Sequence, residues 1–102
     1  VAILGDMFEL GEKSEEYHRE VGRYAAERGV QLFIGVGELS RFACESASEM
    51  LGAERTAYFA EKADLESHLE ELIGPGDVVL VKGSRGMAME TIVKKILERK
   101  KG

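Results

Sequence analysis

Four short apolar, β-branched runs alternate with four stretches whose apolar residues recur at helical spacing. This alternation constrains the fold more than any other feature of the chain. The runs are Val1–Gly5, Gln31–Val36, Thr56–Phe59 and Asp77–Lys82, and the helical stretches span about Ser14–Arg28, Glu38–Leu51, Glu61–Ile73 and Met87–Arg99. Leu39, Phe42, Ala43, Ser46 and Met50 form one predicted apolar face; Leu65, Leu69 and Leu72 form another, and Met89, Ile92, Val93 and Ile96 a third. Ser14 is expected as an N-cap, with Glu15 and Glu16 complementing the helix dipole behind it. Gly29 and Gly52 stand where helices should end, and Gly74-Pro75-Gly76 stops the third helix sharply. Such alternation predicts an α/β domain with a mainly parallel sheet and helices on both faces, giving three αβα layers. Right-handed crossovers restrict the connections. In the usual doubly wound order, 3-2-1-4, the first and fourth strands are neighbours with a chain reversal between them. Ligands bind at the carboxyl ends of the strands at that switch point.

The chain's 102 residues suffice for one domain with one core, and 44% hydrophobic with 32% charged residues fits a globular protein. A net charge of −5 argues against nucleic acid as a partner, since phosphate binding needs an excess of Lys and Arg. The one basic cluster, Lys94, Lys95, Arg99, Lys100 and Lys101, sits where it complements a helix C-terminus. Cys44 is the single cysteine, so neither an internal disulfide nor a cysteine metal cluster is expected, and a reducing, cytoplasmic setting fits. There is no signal peptide and no apolar run of membrane-spanning length, so no membrane partner is expected. The first residues, Val1-Ala2-Ile3-Leu4, are already inside a strand pattern, which predicts a piece of a longer chain.

Two loops carry unusual chemistry. The first strand runs into Gly5-Asp6-Met7-Phe8-Glu9-Leu10-Gly11 and the fourth into Lys82-Gly83-Ser84-Arg85-Gly86-Met87. In the predicted order they face each other across the switch-point crevice. In the second loop, two glycines permit tight turns, Ser84 and free N–H groups can donate, and a helix start follows. Lys82 and Arg85 add full charges, and Arg can grip a carboxylate or phosphate through two hydrogen bonds. The loop suits an anion, although it lacks the spacing of a phosphate-binding P-loop. Asp6 and Glu9, opposite, suit an ammonium group, a ribose hydroxyl, a metal or Lys82, or serve as local turn acids; residue type does not choose among these. His18, one turn into the first helix, reads as a packing residue that orients the preceding loop. His68 stands among Glu66, Glu70 and Glu71 and reads as solvated surface. With only these two histidines, no dedicated metal site is expected. Gly35-Val36-Gly37-Glu38 imitates part of a dinucleotide fingerprint but lacks its third glycine and follows the wrong strand. Cys44 reads as a small packing residue. Tyr17, Tyr24, Tyr58, Phe33, Phe42 and Phe59 read as core or half-buried packing.

The segment Leu4-Gly5-Asp6-Met7-Phe8-Glu9-Leu10-Gly11, with His18 and Val21-Gly22 after it, resembles the C-terminal domain of the Mur family of cell-wall ligases. Val79-Leu80-Val81-Lys82-Gly83-Ser84-Arg85-Gly86-Met87-Ala88-Met89-Glu90 resembles the last strand-to-helix segment of the same domain. Both occur in the right order, and the resemblance spans nearly the whole chain. The Asp-Asn-Pro-Arg motif of the branch that adds diaminopimelate or lysine is absent, which favours the branch that adds D-alanyl-D-alanine. The resemblance implies a Rossmann-like domain, residues 1–102, of a three-domain enzyme. The N-terminal domain would hold UDP-N-acetylmuramoyl-tripeptide, and the central ATPase domain would hold ATP and Mg²⁺. Residue by residue, it implies that Lys82, Ser84 and Arg85 contact the carboxylate of the incoming amino substrate. It likewise implies that Asp6 and Glu9 face the central domain and nucleotide, with His18 orienting their loop. It assigns this chain no catalytic residue, no metal ligand and no tightly bound cofactor. The P-loop, the magnesium-binding acids and the UDP-sugar domain are missing, so the domain alone is expected to be inactive.

A competing expectation is a stand-alone Rossmann-like nucleotide- or anion-binding module, or a receiver-like signalling module. A receiver also pairs an acid after its first strand with a late Lys, as Asp6 and Lys82 could. It needs an Asp after the third strand, however, where this chain has Phe59-Ala60-Glu61-Lys62.

Overall fold

In the computed structural model, residues 1–8, 11–74, 76–83 and 87–101 are described, with side chains through residue 97. Strands β1 (Ala2–Gly5), β2 (Phe33–Val36), β3 (Thr56–Phe59) and β4 (Leu80–Lys82) alternate with helices α1 (Ser14–Glu27), α2 (Ser40–Leu51), α3 (Lys62–Leu72) and α4 (Glu90–Lys101). All pairings are parallel and the sheet order is β3-β2-β1-β4, as the alternation predicts. Ile3 pairs with Ile34 on one side and Val81 on the other, so β1 is an interior strand.

Side-chain alternation along the strands divides the core in two. Ala2, Leu4 and Phe33 face Ala26 of α1 and Ala43, Cys44, Ala47 and Leu51 of α2. Ile3, Ile34 and Val36 face Leu65 and Leu69 of α3 and Ile92 and Ile96 of α4. With both faces covered, every residue of β1 and β2 is buried, as expected for the interior of a parallel sheet. Two crossovers run one way, from β1 to β3, and one returns to β4. Right-handed connections therefore place α1 and α2 on one face and α3 on the other.

Several boundaries differ from the periodic pattern, each for a local reason. β2 begins at Phe33, not Gln31: the guanidinium of Arg55 donates to the Val30 and Gln31 carbonyls at 2.8 and 3.0 Å, taking them from the ladder. β4 begins at Leu80, not Asp77, because Asp77 closes the preceding turn by accepting from Gly74 N at 2.8 Å. α4 begins at Glu90, not Met87, because Ala88 has φ 49. A left-handed residue cannot continue a right-handed helix and costs an L-residue roughly 1–2 kcal/mol. Ser14 is the first residue of α1 rather than its cap; Lys13 precedes it with no side-chain cap bond.

The apolar faces shift as well. On α2 the buried stripe is Ser40, Ala43, Cys44, Ser46, Ala47 and Leu51, while Met50 is exposed. Val93 of α4 is also exposed, as are Tyr24 and Tyr58. Tyr24 lies under the Arg28 guanidinium at 4.8 Å rather than in the core. Tyr58 lies on the edge strand β3.

α1 and α2 approach closely at Gly22, where a Cβ would run into the backbone carbonyl of Ala43. In an open helix, Gly→Ala would gain about 1 kcal/mol of propensity. Here the clash is with backbone, which cannot rotate away, and overpacking typically costs about 1–3 kcal/mol. Gly22→Ala is therefore expected to lower the urea midpoint of the domain; a raised midpoint would refute the close approach.

Candidate ligand site at the carboxyl ends of the strands

β1 and β4 pair with Leu4 beside Lys82, so both strands deliver their following loops to one end of the sheet. The chain leaves β1 toward α1 on one face and leaves β4 toward α4 on the other. A crevice between diverging loops at a strand-order reversal is the standard ligand position in such sheets. Of the residues expected there, Asp6, His18 and Lys82 are described; Glu9, Ser84 and Arg85 lie outside the described residues.

Asp6 is buried, and its Oδ1 accepts from Ser40 N at 2.7 Å, the first residue of α2. The carboxylate thus caps α2 from a distance, where the helix dipole favours an anion. This bond explains why α2 starts at Ser40 rather than Glu38. Gly37 makes room for it: its φ is +111, and a Cβ there would meet the Asp6 carboxylate at about 2.5 Å. The imitation of a dinucleotide fingerprint at Gly35-Val36-Gly37 is therefore a site where backbone yields to Asp6. Among the described residues, Asp6 and Lys82 do not form an ion pair. Lys82 is exposed on β4.

His18 is fully buried in α1 and ties down the loop after β1. Its Nε2 accepts from Met7 N at 3.1 Å, and its Nδ1 lies 2.6 Å from the Ser14 carbonyl oxygen. A carbonyl only accepts, so Nδ1 carries the proton and Nε2 offers its lone pair. Both ring nitrogens are engaged inside the protein, one of them with the loop after β1. Met7 and Ser14 are joined through one imidazole.

Cys44 is buried beneath the sheet, with Sγ 3.4 Å from the Ala57 carbonyl oxygen. Burial pushes its thiol up to about 12, opposed by a backbone hydrogen bond from Gly35 and reinforced by the charge of Glu45. That disfavours the thiolate and any nucleophilic role. His68 is exposed, as its acidic neighbours predict, and packs against the Phe59 ring at 5.4 Å.

Two features of this end of the sheet escaped the sequence pattern. Lys62, the first residue of α3, donates through Nζ to the carbonyls of Met87 and Ala88, each at 3.0 Å. A lysine in a first turn carries no motif; its one unusual mark is a charge that opposes the helix dipole. Ser40 is completely buried, and its Oγ has no hydrogen-bond partner among the described residues.

An apolar groove of about 480 Å³ runs over β1 and β4 beside α1, lined by Leu4, Tyr17, Val21, Tyr24 and Leu80 among others. Its lining is mostly apolar, with Glu20, Arg28 and Lys82 as its charged residues. Among the described residues, no group of three or more His, Cys, Asp and Glu side chains could hold a metal ion, and no helix is long and apolar enough to cross a membrane.

Comparison with known proteins agrees with this architecture. Residues 1–85 match the family described as Mur ligase, glutamate ligase domain. The UDP-N-acetylmuramoyl-tripeptide–D-alanyl-D-alanine ligase of Bacillus subtilis is 36% identical over 96 residues, covering 94% of this chain and 21% of that protein. The Escherichia coli ligase of the same name is 39% identical over 100 residues, covering 96% and 21%. A crystal structure of MurF from Acinetobacter baumannii superposes with a TM-score of 0.79 at 30% identity, covering 95% of this chain and 22% of that one. The chain thus spans about a fifth of the length of the relatives it matches.

Two measurements test the interior of this site. His18→Phe keeps a buried ring but leaves the partly buried Met7 N–H without its acceptor, a loss of about 1 kcal/mol. Urea unfolding should show that loss; unchanged stability would remove His18 from its loop-orienting role. For Cys44, a folded thiol pushed above its ordinary 9.0 holds its proton more tightly than the unfolded chain does. Its stabilising contribution is complete below pH 9 and is lost as pH rises toward 12. Between those values, stability should fall more steeply in the natural chain than in Cys44→Ala; parallel profiles would contradict the burial effect.

Proposed function

Because this chain belongs to the Mur ligase family, as its glutamate ligase domain, we propose that it is the C-terminal domain of a ligase that adds D-alanyl-D-alanine to UDP-N-acetylmuramoyl-tripeptide. The observation that carries this reading is the β1–β4 switch point. There Lys82, at the end of β4, and Asp6, directly after β1, leave the same end of the sheet, in a chain matching such ligases along most of its length. The full protein would carry N-terminal and central domains as its partners and work in the cytoplasm, where ATP is available.

In this reaction ATP would phosphorylate the terminal carboxylate of the tripeptide. The amine of D-alanyl-D-alanine would then attack the acyl phosphate, and the tetrahedral intermediate would collapse with loss of phosphate. This chain's part is positioning. Lys82, Ser84 and Arg85 are the groups suited to the dipeptide's carboxylate: one point charge, one hydroxyl and one guanidinium fork. Holding that end aims the amine, converting a collision into a reaction within one complex. The loop after β1 faces the nucleotide side, with Asp6 fixed by α2 and His18 fixing Met7. Glu9 belongs to the same loop and is assigned to the same side.

The donor set bears on the implied cofactors. No acid cluster suited to Mg²⁺ occurs among the described residues, and the sequence has no P-loop. The magnesium and phosphate ligands are therefore assigned to the central domain, and the isolated domain is expected to be inactive. ATP, when bound there, would supply the activation of the carboxylate; this domain would close over it.

The receiver alternative conflicts with the topology. Its sheet order, 2-1-3-4-5, places the third strand beside the first. Here β1 is flanked by β2 and β4, and Asp6 is bonded to the start of α2.

The test is a set of single substitutions, Lys82→Ala, Ser84→Ala and Arg85→Ala, in the full-length ligase. The expected outcome is a raised KM for D-alanyl-D-alanine, on the order of tenfold or more for Arg85→Ala, with a smaller change in kcat. Steady-state ligation near the unsubstituted rate for all three would sink the assignment.

A further inference from the structure

We propose that Met89 is a positioning residue whose side chain sets the spacing between the end of β1 and the end of β4, and with it the separation of Asp6 and Lys82. Resting on the ligase reading above, that spacing governs how well D-alanyl-D-alanine is held.

The register of β1 and β4 places Leu4 beside Lys82, so the next residues, Gly5 and Gly83, adjoin at the ends of the two strands. Neither has a positive φ, so the backbone conformation does not call for glycine at either position. The requirement is one of space. A Cβ on Gly5 would lie 2.8 Å from Met89 Sδ, and a Cβ on Gly83 would lie 2.9 Å from Met89 Cγ. The latter would also come within 3.2 Å of Gly5 Cα. One side chain therefore rests against both strand ends, in the room that two absent side chains leave. Glycine at a strand end is how such sheets admit close helix packing.

The backbone of Met89 is anchored on the opposite side. The residue is buried and belongs to the half of the core that contains Ile3, Ile34, Leu65 and Ile92. Its carbonyl accepts from Ile92 N at 2.9 Å and from Val93 N at 3.3 Å, which ties it to the start of α4. The carbonyls of the two residues before it accept from Lys62 Nζ. Met89 is thus a spacer between a fixed helix start and two strand ends. An unbranched thioether suits the irregular gap, since it fills space without demanding one shape.

The consequence passes through single peptide bonds. Asp6 directly follows Gly5, and Lys82 directly precedes Gly83. A shift of either glycine moves a residue of the crevice. On the Asp6 side the structure supplies a reporter, because the carboxylate reaches Ser40 N at 2.7 Å and a hydrogen bond tolerates little displacement. A side chain that only filled the core would change stability without loosening this bond or discriminating between substrates.

The experiment uses the full-length ligase carrying Met89→Ala, Gly5→Ala, the two combined, and Met89→Leu as the variant that conserves volume. Met89→Ala removes the spacer. Gly5→Ala displaces it, because the three atoms nearest a Cβ at that position all belong to Met89. Hydrogen exchange at the Ser40 amide, read without substrates, should speed up in both single alanine variants and stay near the natural rate in Met89→Leu. KM for D-alanyl-D-alanine should rise about tenfold in both, while KM for UDP-N-acetylmuramoyl-tripeptide stays within about twofold. The combined variant should lose less than the product of the two single losses, since each change relieves the other.

Unchanged Ser40 exchange in folded Met89→Ala and Gly5→Ala would overturn the proposal, and so would losses that multiply in the combined variant. If Met89→Ala does not fold, Gly5→Ala and Met89→Leu carry the same two readings. Lys82→Ala separates this result from the reading beneath it. If Lys82→Ala raises the dipeptide's KM and displacing Met89 does not, Met89 is not a positioning residue. If Ser40 exchange quickens while Lys82→Ala leaves that KM alone, Met89 does set the spacing and the dipeptide assignment is what fails.

Discussion

Parallel pairing of β4 with β1 is the constraint on which the remaining structure depends. The chain starts in an interior strand, builds outward to β3, then returns across the sheet to lay its last strand beside its first. That return puts α3 and α4 on the face that α1 and α2 leave open, which is why the core has two halves sharing one sheet. It also buries β1 between two partners, so that Ile3 can be 1% exposed in a sheet of four short strands. The same return makes the loops after β1 and β4 diverge. Fold and crevice have a single cause.

The two walls of the crevice are built by different physics. The wall after β1 is tied inward by polar groups taken out of water. Burying Asp6 and His18 is costly unless their bonds are made. Ser40 N and the dipole of α2 offset the cost for the carboxylate, and Met7 N and the Ser14 carbonyl offset it for the ring. The wall after β4 begins with Lys82 exposed and without an ion pair among the described residues. One wall is thus internally satisfied, and the other opens with charge still available to an anion.

Much of this was legible in the sequence, and the exceptions are instructive. Layer order followed from alternation, because helix and strand periods differ too much to be confused over such runs, and strand order was that of the usual doubly wound arrangement. His18 was legible as a packing residue because a lone histidine one helical turn past a loop has few other uses. Element ends were less legible. They depend on partners distant in sequence: Arg55 takes carbonyls before β2, and Asp6 sets the start of α2 from 34 residues away. The apolar face of α2 was misjudged at Met50 because Leu51 lies one position away, and periodicity alone does not decide which of two adjacent residues faces the sheet. Asp6 was legible as a functional-looking acid, and its immediate partner was not, since any N–H can receive a carboxylate. Lys62 was illegible for the same reason: its partners are backbone carbonyls, which every residue possesses.

An apolar groove lies over β1 and β4 beside α1, with Lys82 among the residues that line it. Four short strands do not by themselves wall off a ligand at the end of the sheet that carries Asp6 and Lys82. Under the proposed function this is no deficiency. A domain that closes over a substrate bound largely by its neighbours needs a pre-shaped edge, since a loop already ordered loses less entropy when the ligand arrives. Among the described residues, such bonds lie at the bases: His18 and Asp6 hold the start of the loop after β1, and the β1 ladder holds Lys82. Rigidity is concentrated where geometry must be held, and charge is left where a partner domain would complete the site.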